Sequence, residues 1–137
     1  MGEVRVSVYL ENASDVVLVE AGVRSDVRSH TMEAIVDTGA VMFALPEDVV
    51  HKLALRKIRS VMITYADDRK AEIDVVGPVK LSLEGREMVL EAVVLPPTAE
   101  ALIGQIPLEG MDFHVDCGGK KLRPNPASPI LPLLNLR

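Results

Sequence analysis

The sequence predicts an all-β fold whose strands form a closed or nearly closed barrel, in a single domain over residues 1–137. A chain of this length can bury one hydrophobic core, but it cannot form two large lobes. Segments in which apolar and polar side chains alternate recur along the chain, and turn-forming Gly, Pro, Asn and Asp separate them. Many short strands with frequent turns and little helix are typical of a barrel.

The first half of the chain predicts three strands and one short helix. Residues 4–10 alternate between apolar and polar side chains, residues 15–23 are rich in valine, and residues 31–36 lead into an apolar segment. Each of these runs favours a strand. Pro46, two acidic residues and an apolar face then predict a helix over about 47–55.

The second half predicts hairpins. Alternating segments on either side of a polar tip predict one hairpin over about 60–77, and a second follows over about 79–95. A short buried strand or turn is expected at 101–104 and a brief helix at 107–110. A last hairpin is predicted to turn at 116–119.

Composition argues against several classes of function. The net charge is −5, no Lys/Arg cluster is present, and there are no Trp and only two Phe and two Tyr, so no nucleic acid is expected as a partner. No apolar run approaches the ~20 residues of a membrane span, so no membrane contact is expected either. With no visible secretory signal and a single cysteine, Cys117, we expect a soluble protein of the reducing cytoplasm.

Neither a metal nor another cofactor is expected. Three histidines lie far apart in the chain without the spacing of metal ligands: His30, His51 and His114. Cys117 lies in a Gly-rich turn, so a free thiol is expected there rather than a nucleophile.

One carboxylate, that of Asp37, lies in the middle of an apolar segment that runs from Ala34 to Pro46. Taken alone, its Asp-Thr-Gly tripeptide favours a tight turn, because Asp can bond to its own backbone and Gly tolerates positive φ. The apolar flanks favour a motif that is set into the core, where a carboxylate is rarely placed without a partner. The tripeptide by itself does not decide between the two.

Two motifs together resemble a known family. Asp37 lies in a segment similar to the active-site segment of the retroviral-type (retropepsin-like) aspartic proteases, Ala34-Ile35-Val36-Asp37-Thr38-Gly39-Ala40 followed by Leu45-Pro46 and the predicted helix. A second motif of that family is similar to Leu102-Ile103-Gly104. The resemblance covers most of the chain, from about residue 31 to about residue 122, and small single-domain microbial members are the most similar. It implies an acid-protease-like barrel with one lobe per chain and an active-site loop over about 34–46.

The resemblance implies that Asp37 is catalytic and that it needs a second carboxylate. Two carboxylates a few ångströms apart share one proton, so that one can take a proton from water while the other polarises the peptide carbonyl. The only other Asp-x-Gly begins at Asp116, between two alternating segments, and favours a plain hairpin turn. Since the chain is too short for a second lobe, the partner is expected to be Asp37 of another subunit in a two-fold homodimer.

The family also implies roles for neighbouring residues. The Thr38 hydroxyl joins the two active-site loops, Gly39 brings an N–H close to the carboxylate, and Ala40 stays small beneath the substrate. Structural support of the loop comes from Leu102, Ile103 and Gly104. The hairpin over about 60–77 is the flap, a lid over the substrate, which it contacts through Thr64, Tyr65, Ala66, Asp67 and Asp68. Its tip carries four charges where the family often has glycine, in Asp67-Asp68-Arg69-Lys70.

The expected activity is that of an aspartic endopeptidase acting on extended polypeptides, which add a strand between the flap and the active-site loop. The alternative is a catalytically silent dimeric β-barrel of the same fold that binds peptides or other proteins. The apolar tail, Ile130 to Leu136, needs a surface to cover it. It is predicted either to form a dimer strand over about 129–136, beside the N-terminal strand, or to pack on its own domain.

Overall fold

The structure is a computed structural model that describes residues 3–116, 121–128 and 130–134. Nine strands and three helices lie within these residues. Their bounds, in chain order, are β1 (Val4–Asn12), α1 (Ala13–Glu20), β2 (Ser29–Val36), β3 (Ala44–Pro46), α2 (Glu47–Lys52), β4 (Arg56–Thr64), β5 (Lys70–Leu83), β6 (Arg86–Leu95), β7 (Ala101–Ile103), α3 (Gln105–Gly110), β8 (Phe113–Asp116) and β9 (Lys121–Pro124).

Six of the strands close into a barrel. Their order around the ring is β1-β2-β7-β3-β6-β5, and β5 returns to β1 through antiparallel pairs that run from Tyr9 with Ser82 to Asn12 with Val79. The seventh strand of this sheet, β4, pairs with β5 outside the ring, and β8 and β9 form a separate hairpin. The predicted closed all-β barrel is confirmed.

The barrel closes around a hydrophobic core to which each strand contributes one face. In β1 the apolar residues Val4, Val6, Val8 and Leu10 are buried, and the residues between them are exposed. Successive side chains of a strand point to opposite faces, so the alternation in the sequence becomes an inside and an outside. Full burial of one Val or Leu side chain contributes about 1.5–3 kcal/mol, and this strand therefore anchors the N-terminal part of the chain firmly.

The prediction of a second strand over residues 15–23 is wrong, because helix α1 occupies most of that segment. Asn12 caps the helix: its side-chain oxygen accepts a hydrogen bond from the Asp15 N–H at 3.1 Å. The Asp15 carboxylate is buried and accepts a hydrogen bond from Arg28 Nε at 2.8 Å. The cap and the buried ion pair outweigh the β propensity of the valines.

The other helices follow the sequence more closely. The helix predicted over about 47–55 is confirmed as α2, which ends earlier, at Lys52. The brief helix predicted at 107–110 is confirmed as α3. The described residues thus contain three helices, one more than the two predicted. Both central hairpins are present and share one long strand, because β5 pairs with β4 along its first part and with β6 along its second.

Asp112 and Arg86 hold the segment after β9 against the barrel. The Asp112 carboxylate accepts hydrogen bonds from the Ser128 hydroxyl, from the Asn125 amide at 3.0 Å and from the Leu133 N–H at 3.0 Å. These bonds stabilise the ionised form and lower the pKa of Asp112 from 3.8 to about 2. The buried Arg86 guanidinium donates to the Ser128 carbonyl and covers the same junction.

Two predictions fall partly outside the described residues. Residues 130–134 form no strand within the chain, and since 129 and 135–137 are not described, the dimer strand over about 129–136 stays a prediction. Strands β8 and β9 pair as predicted, but residues 117–120 of their turn are not described. Among the described residues, no helix is long and apolar enough to cross a membrane.

Candidate active site

The loop between β2 and β3, residues 37–43 and here named the Asp37 loop, begins where β2 leaves the barrel wall. The Asp37 N–H donates to the Ile103 carbonyl at 3.0 Å, which continues the parallel pairing of β2 with β7. The Ala40 N–H donates to the Asp37 carbonyl at 3.1 Å, and the Gly39 N–H donates to Asp37 Oδ1 at 2.9 Å. The tripeptide is therefore a tight turn, and this turn presents a carboxylate.

Asp37 is held through one carboxylate oxygen only. The side chain is half-buried, and within the described part of the chain its Oδ2 atom has no hydrogen-bond partner. Thr38 and Gly39 are exposed, and Ala40 is half-buried. The Thr38 hydroxyl also has no partner in the described part of the chain, so its expected role between subunits stays a prediction. The free oxygen of Asp37 can meet a water molecule or a second carboxylate.

Gly104, the last residue of the second motif, lies directly against the Asp37 loop. A Cβ atom at Gly104 would lie 2.6 Å from the Met42 carbonyl oxygen and 2.8 Å from both the Ala40 carbonyl oxygen and the Val41 carbonyl carbon. Only a glycine allows the two backbones to approach this closely. The Ile106 N–H donates to the Val41 carbonyl at 2.9 Å, so the start of α3 is bonded to the loop as well.

Gln105 is the residue at this site that the sequence did not indicate. Its backbone N–H donates to the Ala40 carbonyl at 2.9 Å, and its side-chain Nε2 donates to the Thr38 carbonyl at 3.1 Å. One residue therefore bonds to two carbonyls of the Asp37 loop. Its place directly after Leu102-Ile103-Gly104 was the available signal.

An apolar cluster, separate from the main core, connects the Asp37 loop to the hairpin of β4 and β5, which is the hairpin predicted to be the flap and is called the flap below. Buried side chains from β3, β5 and β6 form its centre: Ala44, Val75 and Val93. Half-buried side chains surround this centre, and they come from the loop, the flap strands, β6 and β7: Met42, Val61, Ile73, Leu95 and Leu102. Because these residues are only half-buried, the cluster retains accessible apolar surface.

The flap hairpin consists of β4, the first part of β5 and a tip at residues 65–69. Its tip is ordered by its own contacts: the Tyr65 N–H donates to the Arg69 carbonyl at 2.8 Å, and Arg69 Nε donates to Asp67 Oδ2 at 2.6 Å. The Arg69 guanidinium also lies 5.0 Å from the centre of the Tyr65 ring. Thr64 ends β4, and all residues from Thr64 to Lys70 are exposed. Within the described residues, no hydrogen bond or ion pair joins this tip to the Asp37 loop.

The remaining candidates lie on other elements. His51 lies on α2, 3.9 Å from Glu47. Asp116 ends β8 and lies 3.5 Å from Arg123 Nε, while Cys117 is outside the described residues. In the part of the chain that the structure describes, no group of three or more His, Cys, Asp or Glu side chains could hold a metal ion.

A barrel that closes within one chain and presents a single Asp-Thr-Gly turn, braced by a glycine of a neighbouring strand, has the architecture of an acid-protease-like domain. A model of a family described as aspartyl protease matches residues 23–106, more than half of the chain. The chain belongs to the aspartyl protease family. No curated protein matches it. The matched span includes the Asp37 loop, the flap and Gly104, and membership supports a protease-type, hydrolytic function in general terms.

Proposed function

We propose that the chain is an aspartic endopeptidase that acts as a homodimer, with Asp37 of each subunit forming the catalytic pair. The observation that carries the proposal is the state of Asp37: Gly39 holds one carboxylate oxygen at 2.9 Å, and the other has no partner among the described residues. Each chain contributes one such turn, whereas the acid–base chemistry requires two carboxylates. A two-fold axis brings identical loops face to face and would supply the second.

In the proposed mechanism the ionised Asp37 removes a proton from a water molecule, whose oxygen attacks the carbonyl carbon of the peptide. The protonated Asp37 of the other subunit gives its proton to the carbonyl oxygen, which produces a tetrahedral diol. Asp37 then gives the proton that it took from water to the peptide nitrogen, while Asp37 of the other subunit takes a proton back from one hydroxyl of the diol, so that the C–N bond breaks and a carboxylic acid and an amine are released. The pair ends with one shared proton, as it began.

The proposed substrate is an extended polypeptide with apolar side chains near the cleaved bond. The apolar cluster supports this choice, because Met42 belongs to the Asp37 loop and Val61 and Ile73 belong to the flap strands. A substrate that lies between the loop and the flap would bury apolar surface against this cluster. Each Å² of apolar surface buried in this way contributes about 25 cal/mol to the binding free energy. Main-chain hydrogen bonds of an added strand make few demands on sequence.

The test is cleavage of a peptide library between pH 3 and 8 by the wild-type chain and by Asp37→Asn. We expect products from the wild type and none from the variant, because an amide cannot accept the proton of the attacking water. Asp116→Asn is the matched control, since it changes the other Asp-x-Gly, and it should cleave like the wild type. Cleavage that survives in Asp37→Asn would refute the assignment, and peptide binding without any product would favour the silent binding module.

A solution mass measurement tests the assembly independently of cleavage. Active protein should have the mass of a dimer, since a strictly monomeric chain cannot bring two Asp37 side chains together. A reducing cytoplasmic location is also part of the proposal. It rests on the single cysteine of the chain.

A further inference from the structure

The peptide unit between Thr38 and Gly39 is bonded at both of its ends. Its N–H, on Gly39, donates to Asp37 Oδ1 at 2.9 Å, and its carbonyl, on Thr38, accepts from Gln105 Nε2 at 3.1 Å. The amide of Gln105 and the carboxylate of Asp37 thus lie at opposite edges of one peptide plane. The orientation of this plane decides whether Asp37 faces a donor or a carbonyl oxygen.

The turn itself does not determine that orientation. Residues 37–40 form a β-turn closed by the bond from the Ala40 N–H to the Asp37 carbonyl at 3.1 Å. The two common turn types, I and II, both keep this closing bond and differ by a rotation of the central peptide through about 180°. Type II requires positive φ at the third residue, which here is Gly39, a glycine that can adopt it. Gly39 does not have positive φ in the structure.

The other contacts of the loop leave the central peptide untouched. The Gln105 and Ile106 N–H groups bond to the carbonyls of Ala40 and Val41, which follow the central peptide. The Gly104 contact reaches the Ala40, Val41 and Met42 backbone and no residue before them. In the described part of the chain, the Gln105 side chain is therefore the only group outside the turn that is bonded to the Thr38–Gly39 peptide.

We infer that Gln105 is a positioning residue, which keeps the Thr38–Gly39 peptide turned so that its N–H faces the Asp37 carboxylate. A rotated peptide would point the Thr38 carbonyl at Asp37 and place two oxygen acceptors together. A hydrogen bond to a peptide carbonyl also polarises the N–H at the other end, so Gln105 strengthens the Gly39 donor. This inference rests on the proposed function as far as catalysis is concerned, but the orientation of the peptide can be measured without it.

Three substitutions separate the donor from the shape of the side chain. Gln105→Met keeps the length without a donor, Gln105→Glu offers acceptors only, and Gln105→Lys restores a donor on a flexible stem. Glu109→Gln is the control, because it changes an exposed residue of the same short helix, and this residue makes no hydrogen bond or ion pair with the Asp37 loop among the described residues. Because one hydrogen bond is lost, we expect kcat to be about 5- to 10-fold lower in Gln105→Met and Gln105→Glu, with KM nearly unchanged. In Gln105→Lys we expect kcat to return towards the wild-type value.

Hydrogen exchange of the Gly39 amide is the second measurement, and it needs no substrate. We expect faster exchange in the Met and Glu variants, wild-type exchange in Glu109→Gln, and melting temperatures close to wild type throughout. Equal Gly39 exchange and equal kcat in all variants would overturn the inference, as would a uniform loss in which Lys gives no recovery. If the wild type cleaves nothing, the proposed function fails, while Gly39 exchange still decides the role of Gln105.

Discussion

Replacing Gly104 by alanine should both destabilise the barrel and displace the Asp37 loop. The backbone at Gly104 has φ −92° and ψ −165°, which alanine can adopt, so the cost arises from contacts and not from dihedral strain. The added Cβ would meet three backbone atoms, at 2.6 Å from the Met42 oxygen and 2.8 Å from atoms of Ala40 and Val41. Carbon and oxygen in contact need more than 3 Å, so the loop must move by roughly half an ångström. Overpacking of this kind costs about 1–3 kcal/mol, and we expect the upper half of that range because no flexible side chain can yield.

The assays are urea unfolding and cleavage of a peptide that the wild type hydrolyses. Gly110→Ala is the matched control, since its Cβ would also meet atoms at 2.5 and 2.7 Å, but these belong to the flexible end of the Met88 side chain. We expect Gly110→Ala to change stability by less than about 1 kcal/mol and to keep full activity. In Gly104→Ala a displacement of Asp37 by about half an ångström should lower kcat by about 10-fold, since a misplacement of about 1 Å costs about 100-fold. If both variants unfold at the same urea concentration and cleave equally well, the bracing of the loop by Gly104 has been misjudged.

Two further predictions concern α1. The hydrogen bonds from Arg28 lower the pKa of the buried Asp15 from 3.8 to about 2. The ionised carboxylate therefore stabilises the fold by about 2 kcal/mol above pH 4. This contribution disappears as the pH falls towards 2, because the carboxylate is then protonated in the folded state as well. The difference in unfolding free energy between wild type and Asp15→Asn should narrow over that range, and a constant difference would contradict the pairing. Asn12→Ala removes the helix cap and the hydrogen bond from Asn12 Nδ2 to the Leu53 carbonyl, which is 2.9 Å long. The free energy of unfolding measured in urea should therefore fall by about 2–3 kcal/mol. A cost below about 0.5 kcal/mol would show that solvent or a neighbour replaces both bonds.

The features that could be predicted from the sequence are those whose cause is local. Alternation in residues 4–10 specifies one buried face whichever strand lies beside it, and Pro46 with two acids specifies a helix start. The Asp37 turn is equally local, since the N–H groups of Gly39 and Ala40 both donate to oxygen atoms of Asp37. The barrel class follows from the number and spacing of such segments.

The features that could not be predicted depend on partners distant in sequence. Asn12 and Asp15 occupy the cap and the third helical position, an arrangement that indicates a helix start, but the valines between residues 16 and 19 favour a strand equally well. The outcome depends on Arg28, which pairs with Asp15 only once the chain has folded back. Gln105 is separated from its acceptor on Thr38 by 67 residues, and no pattern in a single sequence connects such a pair.

The barrel closes without help from another chain, because β5 returns to β1 and completes the ring. Under the proposed mechanism, folding and assembly are then separate steps, and only the second creates the carboxylate pair. The Asp37 loop is already ordered in one chain by Gly104, Gln105 and its own turn. The free energy of association therefore does not include the entropy cost of ordering this loop. A pre-ordered Asp37 with one occupied and one free oxygen would allow the two carboxylates to pair when the proposed dimer forms. The contacts that brace the loop would thus determine how readily two chains form an active site.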